Sequence, residues 1–455
     1  MSCLRGLLNR TFLFRWRCSL ILVVLLSGCA SVYPSQLKAI TPAAQIQRQI
    51  HLDPPVRLLA GTSRVEITPP IGTPLAGYAK RKSKPSTGVR DPLYVRALSL
   101  SDGRDQWLIL SADLLVFPPW YAERVLNRLV KQTHLPKAAI LLSATHTHSG
   151  SGGMGRRLYQ IAFGRYDPKI ADFIEDRILQ AADQALKNPQ PVGWGVYRDP
   201  LALADWIENR AFKDGRIDPS LTVFTAFSSE DRPLAIVVNA AAHPTLRDSK
   251  DFQISADFPG VLCRNLEQRY PGTVVLFLNG AAADLRPKDS MGSDGQERAE
   301  RFGLFLAQQT VDLLSRIQCH ALGDVAAWGT TLQLPPPQFR SGRLRLHPWL
   351  GRLILPRHKL YLNQLAVGNT VIAAMPAEIT AELGQTIQEE MLRQGLTPLV
   401  AGYTNGYLGY AGTVQQYEKI AYESAMTWYG AHFGDSVAIE TVRLSEFYSE
   451  LLRDS

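Results

Sequence analysis

Two histidines separated by one residue, His146 and His148, are the clearest candidates for chemistry in this chain. The residues before them, 140–142, are Ile-Leu-Leu, which is typical of a buried strand, and a serine- and glycine-rich stretch follows at 149–153. Side chains at i and i+2 of an extended segment point to the same side, and neutral imidazole is both a metal ligand and a general base. The pair therefore favours a metal-dependent hydrolase, although such a pair alone is also compatible with ordinary surface or core histidines.

Three further apolar stretches end in residues that can coordinate a metal. Residues 234–239 lead to His243, residues 371–375 lead to Glu378, and residues 274–278 lead to Asp284. Sites in layered α/β proteins form beyond the carboxyl ends of strands, and a catalytic zinc takes about three protein ligands and keeps one position open. This repeated placement strengthens the metal hypothesis, although each residue taken singly is better explained by loop hydrogen bonds.

Apolar periodicities along the chain alternate between those of strands and those of helices. They predict strands at 107–111 and 139–143, and helices at 120–131, 170–185 and 294–317, with Asp294 capping the last helix. Alternation of this kind predicts an α/β fold with layered, mixed β-sheets flanked by helices. The absence of a linker or repeat predicts one large catalytic domain over residues 58–455.

The first 29 residues predict an export signal rather than part of the fold. Four arginines precede a short apolar core at 20–26, and Leu-Ser-Gly-Cys-Ala at 26–30 is typical of a bacterial lipobox. We expect cleavage before Cys29, lipidation of that cysteine and a location on the periplasmic face of the outer membrane, with an uncleaved anchor as the alternative. Residues 30–57 are polar and lack clear periodicity, which predicts a tether.

The remaining cysteines restrict the type of metal ligand, and the charge distribution restricts the class of binding partner. Cys263 and Cys319 would lie in an oxidising compartment, where one disulfide is possible; without a C-x-x-C spacing, a metal would have to use nitrogen and oxygen ligands. The chain carries a formal net charge of +8, and the basic segment 340–359 alternates Arg and Lys with Leu and Trp. We expect this segment to contact an anionic lipid surface or to cover the active site, with a solvated arm as the alternative. No recognition motif for nucleic acid accompanies the charge.

Several short motifs occur in a family-specific order between about residue 60 and residue 440. They are Thr-His-Thr-His-Ser-Gly at 145–150, Glu-Asn-Arg at 208–210, Ala-His-Pro-Thr at 242–245, Pro-Ala-Glu-Ile-Thr at 376–380 and Asn-Gly-Tyr-Leu-Gly-Tyr at 405–410. In this order the chain resembles the N-terminal catalytic domain of the neutral/alkaline (non-lysosomal) ceramidases. The resemblance implies a zinc-dependent amidohydrolase that cleaves an N-acyl lipid, ceramide first, to a sphingoid base and a fatty acid. Full-length members carry a C-terminal β-sandwich after the catalytic domain. We expect that module to be missing from this chain, which stops at Ser455.

The resemblance also implies which residues hold the zinc ion. His146, His243 and Glu378 correspond to three of the family's ligands, and Tyr410 corresponds to a fourth, phenolic ligand. Because a phenol has an ordinary pKa near 10, a nearby dication would have to favour its phenolate form.

The substrate-binding and proton-transfer residues are implied in the same way. His148 corresponds to the histidine beside the metal-bound water, where it would shuttle a proton, and Arg210 and Tyr422 correspond to the pair that binds the developing oxyanion. One departure concerns a family serine in the pattern Gly-Asp-Val-Ser-Pro, because the chain reads Ala-Asp-Leu-Arg-Pro at 283–287. Arg286 cannot act as a nucleophile, but metal-activated water can attack an amide without one.

The missing serine leaves two alternatives to ceramide hydrolysis. The first is hydrolysis of another amide or ester, such as an N-acyl amino acid. The second is a lipid-anchored binding protein, without catalysis, on the same scaffold.

Overall fold

The computed structural model describes residues 47–50, 54–341, 344–355, 359–419 and 422–454. The predicted leader and Cys29 lie outside these residues, as does most of the predicted tether. Among the described residues, no helix combines the length and the apolar composition that crossing a bilayer requires.

A large mixed sheet of eight strands forms one layer of the fold. Its strand order is β12-β10-β9-β7-β2-β4-β5-β6, and the pairs β5–β6 and β10–β12 are parallel. Its strands are β2 (Leu58–Glu66), β4 (Tyr94–Ser101), β5 (Gln106–Ala112), β6 (Ile140–Ala144), β7 (Gln190–Asp199), β9 (Leu221–Phe227), β10 (Pro233–Ala240) and β12 (Val274–Asn279).

A second sheet of five strands, in the order β1-β14-β17-β18-β20, stacks on the first. The indole nitrogen of Trp107 in β5 donates to the carbonyl of Ala366 in β17 at 3.1 Å, and side chains of both sheets share one apolar core. The strands of this sheet are β1 (Gln47–Ile50), β14 (Val325–Gln333), β17 (Lys359–Val367), β18 (Thr370–Ala374) and β20 (Thr397–Ala401).

In the described part of the chain, four two-stranded ladders extend the loops around the sheets. They pair β3 (Gly88–Val89) with β11 (Gln253–Ile254), β8 (Ile207–Asn209) with β13 (Leu285–Pro287), β15 (Arg340–Ser341) with β16 (Leu344–Arg345), and β19 (Glu378–Ile379) with β21 (Tyr410–Ala411).

Helices pack against both sheets, so the predicted α/β class with layered, mixed sheets and flanking helices is confirmed. Helix α3 lies on β2 and β4, α4 lies on β12, and α7 and α10 lie on β20 and β17 of the second sheet. The helices are α1 (Pro119–Thr133), α2 (Gln160–Phe163), α3 (Pro168–Lys187), α4 (Asp257–Arg269), α5 (Gly295–Leu314), α6 (Pro348–Ile354), α7 (Ala381–Arg393), α8 (Val414–Glu418), α9 (Tyr422–Ala425) and α10 (Phe433–Asp454).

The strands and long helices predicted from periodicity are present in the structure. The predicted cap is also confirmed, because the Asp294 carboxylate accepts hydrogen bonds from the backbone N–H groups of Gln296 and Glu297 at the start of α5. These two bonds satisfy backbone N–H donors that the start of a helix leaves unpaired, which is why aspartate is common at this position.

Two features of the structure add to the sequence analysis. Residues 47–50 fall in the predicted tether and form β1, which pairs antiparallel with β14. An edge strand presents unpaired backbone N–H and C=O groups, so a further segment can pair with it. Cys263 is buried and Cys319 is exposed, and both are free thiols rather than a disulfide. Burial raises the pKa of Cys263 to about 12, so this thiol is inert at neutral pH.

The eight-stranded sheet bends until strands near its two edges meet. The hydroxyl of Ser111 in β5 donates to the carbonyl of Phe277 in β12 at 2.7 Å, although several strands separate β5 from β12 in the sheet order. The loops that follow β6, β10 and β12 are thereby brought to one place. Backbone bonds from Ala144 to Tyr403 and from Gly402 to Asn279 join the second sheet there.

Candidate metal centre and active site

Three imidazoles from two loops meet where these strands end; those of His146 and His243 are buried and that of His148 is half-buried. The Nε2 atom of His146 lies 3.1 Å from that of His243 and 3.3 Å from that of His148, and the remaining pair is 3.2 Å apart. Two ligands bound tetrahedrally to zinc at 2.0–2.1 Å stand about 3.3–3.4 Å from each other. The three nitrogens therefore have the spacing of ligand atoms around one metal ion, and they form a group that could hold one.

The backbone orients two of these rings so that Nε2 faces inward. The Nδ1 atom of His146 lies 2.8 Å from the carbonyl of Leu115, and that of His243 lies 3.1 Å from the carbonyl of Ala282. A carbonyl can only accept, so each Nδ1 carries the proton and each Nε2 presents a lone pair. A metal-binding histidine typically donates its second nitrogen in this way. His146 itself adopts a left-handed backbone, with φ of 73°, a conformation uncommon outside glycine.

Burial keeps the three imidazoles neutral at physiological pH. It lowers the pKa of His146 to about 3, assisted by the positive charge of Arg210 and opposed by the hydrogen bond to Leu115. Burial also lowers the pKa values of His148 and His243 well below the ordinary range. Neutral imidazoles offer the lone pairs that a metal ion requires.

Strand pairing brings Glu378 and Tyr410 side by side at this centre. Glu378 of β19 is the direct register partner of Tyr410 of β21, and its Oε1 atom lies 3.7 Å from Nε2 of His146. Tyr407 donates its hydroxyl to the same Oε1 at 2.6 Å, whereas Oε2 is buried without a hydrogen-bond partner among the described residues. Such an unpaired buried carboxylate oxygen is costly unless a cation meets it. The donor set therefore fits a metal ion with nitrogen and oxygen ligands.

The pKa values at this pair show what a cation would change. Burial raises the pKa of Glu378 to about 7, although the hydrogen bond from Tyr407 opposes the rise. Burial and the charge of Glu378 raise the pKa of Tyr410 well above 10. A dication beside both groups would favour their charged forms.

Arg210 and Tyr422 extend the site towards solvent. Arg210 donates to the hydroxyl of Tyr410 at 3.2 Å and to the carbonyl of Ala283 at 2.8 Å. Tyr422 packs edge-on against Tyr410, with ring centroids 5.8 Å apart, and 63% of Tyr422 is exposed. The structure therefore brings all seven sequence-predicted site residues together in one contiguous group.

His148 differs from the other two histidines in how it is held. Its Nδ1 atom is buried without a hydrogen-bond partner, and its ring packs on Tyr78, with centroids 4.9 Å apart. Gly77 lies under the same ring, where a Cβ atom would come within 2.6 Å of Nδ1. Because no carbonyl orients this ring, His148 lacks the support that the other two imidazoles have, which suits a residue that exchanges protons.

Arg286, which stands in place of the family serine, is tied to two acidic residues. It lies in β13, where its guanidinium contacts Glu208 at 2.7 Å and Asp289 at 3.0 Å. All three side chains are substantially exposed, and the arginine offers no nucleophile.

Several residues of this site were not singled out from the sequence. Tyr407 lies within the motif at 405–410, but nothing in its spacing indicated a contact with Glu378. Tyr403 stacks on His146 with ring centroids 4.0 Å apart. The sequence indicated Asp284 as a residue that could coordinate a metal, whereas its carboxylate oxygens accept from the side chain of Asn209 and the backbone of Ala381. These contacts depend on tertiary proximity, for which single-sequence spacing carries no signal.

Comparison with known proteins identifies the family. Residues 58–287 match the family described as neutral/alkaline non-lysosomal ceramidase, N-terminal. This chain belongs to that family. The neutral/alkaline ceramidases that it resembles include the neutral ceramidase of Pseudomonas aeruginosa, 22% identical over 385 residues, covering 64% of this chain and 56% of the relative. Neutral ceramidase A of Dictyostelium discoideum is 23% identical over 423 residues, covering 64% of this chain and 58% of that relative.

The fold agrees with a solved structure of the same family. The crystal structure of the Pseudomonas aeruginosa neutral ceramidase superposes with a TM-score of 0.75 at 20% identity, covering 87% of this chain and 75% of that one. The chain spans less than two thirds of the length of the curated ceramidases named above.

Proposed function

We propose that this protein is a zinc-dependent hydrolase that cleaves the amide bond of an N-acyl lipid, with ceramide as the first candidate substrate. The observation that carries the proposal is the approach of Nε2 of His146 to Nε2 of His243, 3.1 Å apart, with the buried carboxylate of Glu378 3.7 Å from His146. The Nε2 atom of His148 lies within 3.3 Å of both, where it can exchange a proton with a ligand of the same ion. Family membership supports the same chemistry.

The metal ion would be held by His146, His243, Glu378 and Tyr410. Two of these imidazoles have their Nδ1 atoms bound to carbonyls, and Glu378 has an unpaired buried oxygen, which is the support expected of ligands. When bound, zinc would lower the pKa of a coordinated water towards about 7 and polarise the amide carbonyl.

His148 would transfer protons during the reaction. Its pKa is lowered by burial first and by the charge of Arg210, so the imidazole is neutral and Nε2 can accept a proton from the attacking water. The resulting imidazolium would be strongly acidic in this environment and would return that proton to the departing amine. One residue would thus act as base and then as acid.

Arg210 and Tyr422 would bind the oxygen that gains negative charge in the transition state. Burial alone would lower the pKa of Arg210, but the neighbouring Tyr410 and Glu378 raise it, so the guanidinium stays charged. Oxyanion donors are typically worth about 2.7–4 kcal/mol each.

Family membership is the reason for proposing an N-acyl lipid as the substrate. The second candidate is hydrolysis of another amide or ester, such as an N-acyl amino acid. The observation that favours the second candidate is Arg286 in place of the family serine. A non-catalytic binding protein on this scaffold is disfavoured by the intact donor set.

We further propose that the protein is exported and anchored through a lipidated Cys29, with its substrate in the adjoining membrane. The leader and lipobox pattern at residues 1–29 supports this location. Labelling cells with a radioactive fatty acid would test it, because Cys29→Ser should remove the label without changing the amount of protein.

Metal analysis and a substrate panel test the catalytic proposal together. We expect about one zinc per chain, lost in His146→Ala and retained in the control His432→Ala, whose imidazole is exposed. A panel of N-acyl lipids and N-acyl amino acids, assayed with and without chelator, should show metal-dependent release of fatty acid. Turnover of the amino-acid amides alone would select the second candidate, and zinc binding without any turnover would select the binding protein.

His148→Ala separates the two roles open to that residue. We expect the variant to keep its zinc and to lose at least about a hundredfold in kcat, as for removal of a general base. Loss of zinc in this variant would instead make His148 a ligand.

A further inference from the structure

Among the described residues, the large apolar side chain with the greatest exposed fraction lies on helix α6. Leu353 is 69% exposed and Trp349 is 50% exposed. The two residues are four positions apart, so they lie on the same face of the helix. Ile354 extends this apolar surface. Leaving such a surface in water is unfavourable, because burying one large apolar side chain is worth about 1.5–3 kcal/mol.

The opposite side of α6 is firmly anchored to the protein. Gly351 is buried and packs tightly against Pro337, because a Cβ atom at this position would lie 2.5 Å from the Pro337 carbonyl oxygen. Leu355 is also buried, and the backbone N–H of Leu346 donates to the carbonyl of Phe339 at 2.8 Å. The outward face is therefore not needed to hold the helix in place.

The charged residues of the chain segment that contains α6 all have one sign. No Asp or Glu occurs between Asp324 and Glu378, while residues 340–359 contain six Arg and Lys. Among them, Arg352 is exposed and lies three positions from Trp349, on the same face as the apolar pair. Tryptophan and leucine beside arginine match a bilayer interface with anionic headgroups.

The hairpin that precedes α6 lies next to the element that carries Tyr422. Strand β15, which begins the hairpin before α6, contacts helix α9, whose first residue is Tyr422. Gln338 donates its backbone N–H to the carbonyl of Trp428 at 2.7 Å, and the ring of Trp428 lies 5.7 Å from that of Tyr407 at the metal centre. A surface that held α6 would thus hold the mouth of the site close to itself.

We propose that the exposed face of α6, made of Trp349, Arg352 and Leu353, docks on an anionic lipid bilayer and sets the mouth of the active site against it. The benefit to catalysis rests on the proposed function, whereas the adsorption itself does not. The helix would lie in the interface with its apolar pair among the acyl chains, and Arg352 would pair with headgroups.

Vesicle sedimentation tests the proposal directly. The probe is the full chain carrying Cys29→Ser, mixed with vesicles of phosphatidylcholine alone or with phosphatidylglycerol. We expect Trp349→Ser/Leu353→Ser to weaken binding to the anionic vesicles at least about tenfold. Arg352→Glu should weaken it about fivefold or more, and only for the anionic vesicles.

A matched double variant controls for the loss of exposed apolar surface elsewhere. Leu322, which precedes β14, is 53% exposed, and Leu392, in the last turn of α7, is 45% exposed. We expect Leu322→Ser/Leu392→Ser to bind vesicles like the parent. Equal losses in both double variants, or parent-like binding by Trp349→Ser/Leu353→Ser with an unchanged melting temperature, would overturn the proposal.

Two further measurements distinguish other outcomes. If Trp349→Ser/Leu353→Ser changed the oligomeric state on size exclusion without changing vesicle binding, the face would contact a second copy of the chain and the proposal would be wrong. Hydrolysis of a soluble short-chain amide should be equal in the parent and this variant, while hydrolysis in vesicles should fall in the variant. Absence of hydrolysis in every sample would refute the proposed function and leave the vesicle-binding result to stand alone.

Discussion

Asn209 donates its side-chain amide to the carboxylate of Asp284 over 2.9 Å, beside the metal centre. The other carboxylate oxygen of Asp284 accepts from the backbone of Ala381 at 2.8 Å, at the start of α7. The carbonyl of Asp284 accepts from the backbone of Arg210 at 2.8 Å. This buried residue therefore joins the segment that carries Arg210 to the segment that follows Glu378.

Asp284→Asn should uncouple these segments. An asparagine can still accept from Ala381, but its amide would then face the amide of Asn209, leaving a donor unpaired at a cost of about 1–3 kcal/mol. We expect kcat to fall about ten- to a hundredfold with zinc retained, measured by steady-state kinetics and metal analysis. The swap Asn209→Asp/Asp284→Asn restores a donor–acceptor pair and should recover much of the loss; no recovery would contradict a positioning role.

Tyr407→Phe should weaken metal binding. The change removes the hydroxyl that donates to Glu378 at 2.6 Å. In the parent, this hydrogen bond lowers the pKa of the Glu378 carboxyl group and so opposes the rise caused by burial. Loss of such a supporting bond typically costs 10–100-fold in metal affinity. Competition with a chelator would measure it. Tyr448→Phe, which removes a hydroxyl bound to Gly368 away from the site, is the control and should leave the affinity unchanged.

Arg286→Ala should have little effect on catalysis. The guanidinium is held by Glu208 and Asp289, in a pair open to solvent, and such exposed pairs contribute at most about 1 kcal/mol to stability. We expect kcat within about threefold of the parent and a nearly unchanged melting temperature. Arg286→Ser, which reinstates the family residue, should not raise kcat. A tenfold loss in the alanine variant with zinc retained would assign Arg286 to the substrate.

Asp257 should make the protein less stable as pH rises from 4 to 7. Burial raises its pKa from 3.8 to about 6, so the folded state binds this proton more tightly than the unfolded chain does. Its contribution to the free energy of unfolding is therefore greatest below pH 3.8 and is lost as pH rises through 6, by about 3 kcal/mol in total.

Denaturant unfolding of the parent and of Asp257→Asn measures this effect. Because asparagine does not titrate, the variant should gain about 2.4 kcal/mol relative to the parent between pH 4 and pH 7, added to a constant offset from its altered hydrogen bonds. A difference between the two proteins that stays constant over this range would show that Asp257 titrates normally.

Much of the local structure follows from the sequence, because it depends on residues close together along the chain. The apolar runs before His146, His243 and Glu378 are strands β6, β10 and β18, and helices such as α3 follow from spacing at 3.6 residues per turn. Asp294 caps α5 because its carboxylate reaches only two or three residues ahead. The motif order added the family and the seven site residues, whose roles stay predictions, as does export through Cys29.

The convergence of those residues was decided by tertiary structure alone. His146 and His243 are 97 positions apart, and their Nε2 atoms meet only because the eight-stranded sheet bends until β5 touches β12. Glu378 meets Tyr410 through the register of a two-residue ladder, and Tyr407 through a turn. Backbone periodicity determines which face a side chain takes, whereas sheet curvature and loop register depend on packing between distant segments. No spacing along one chain encodes that packing in a form that can be read directly.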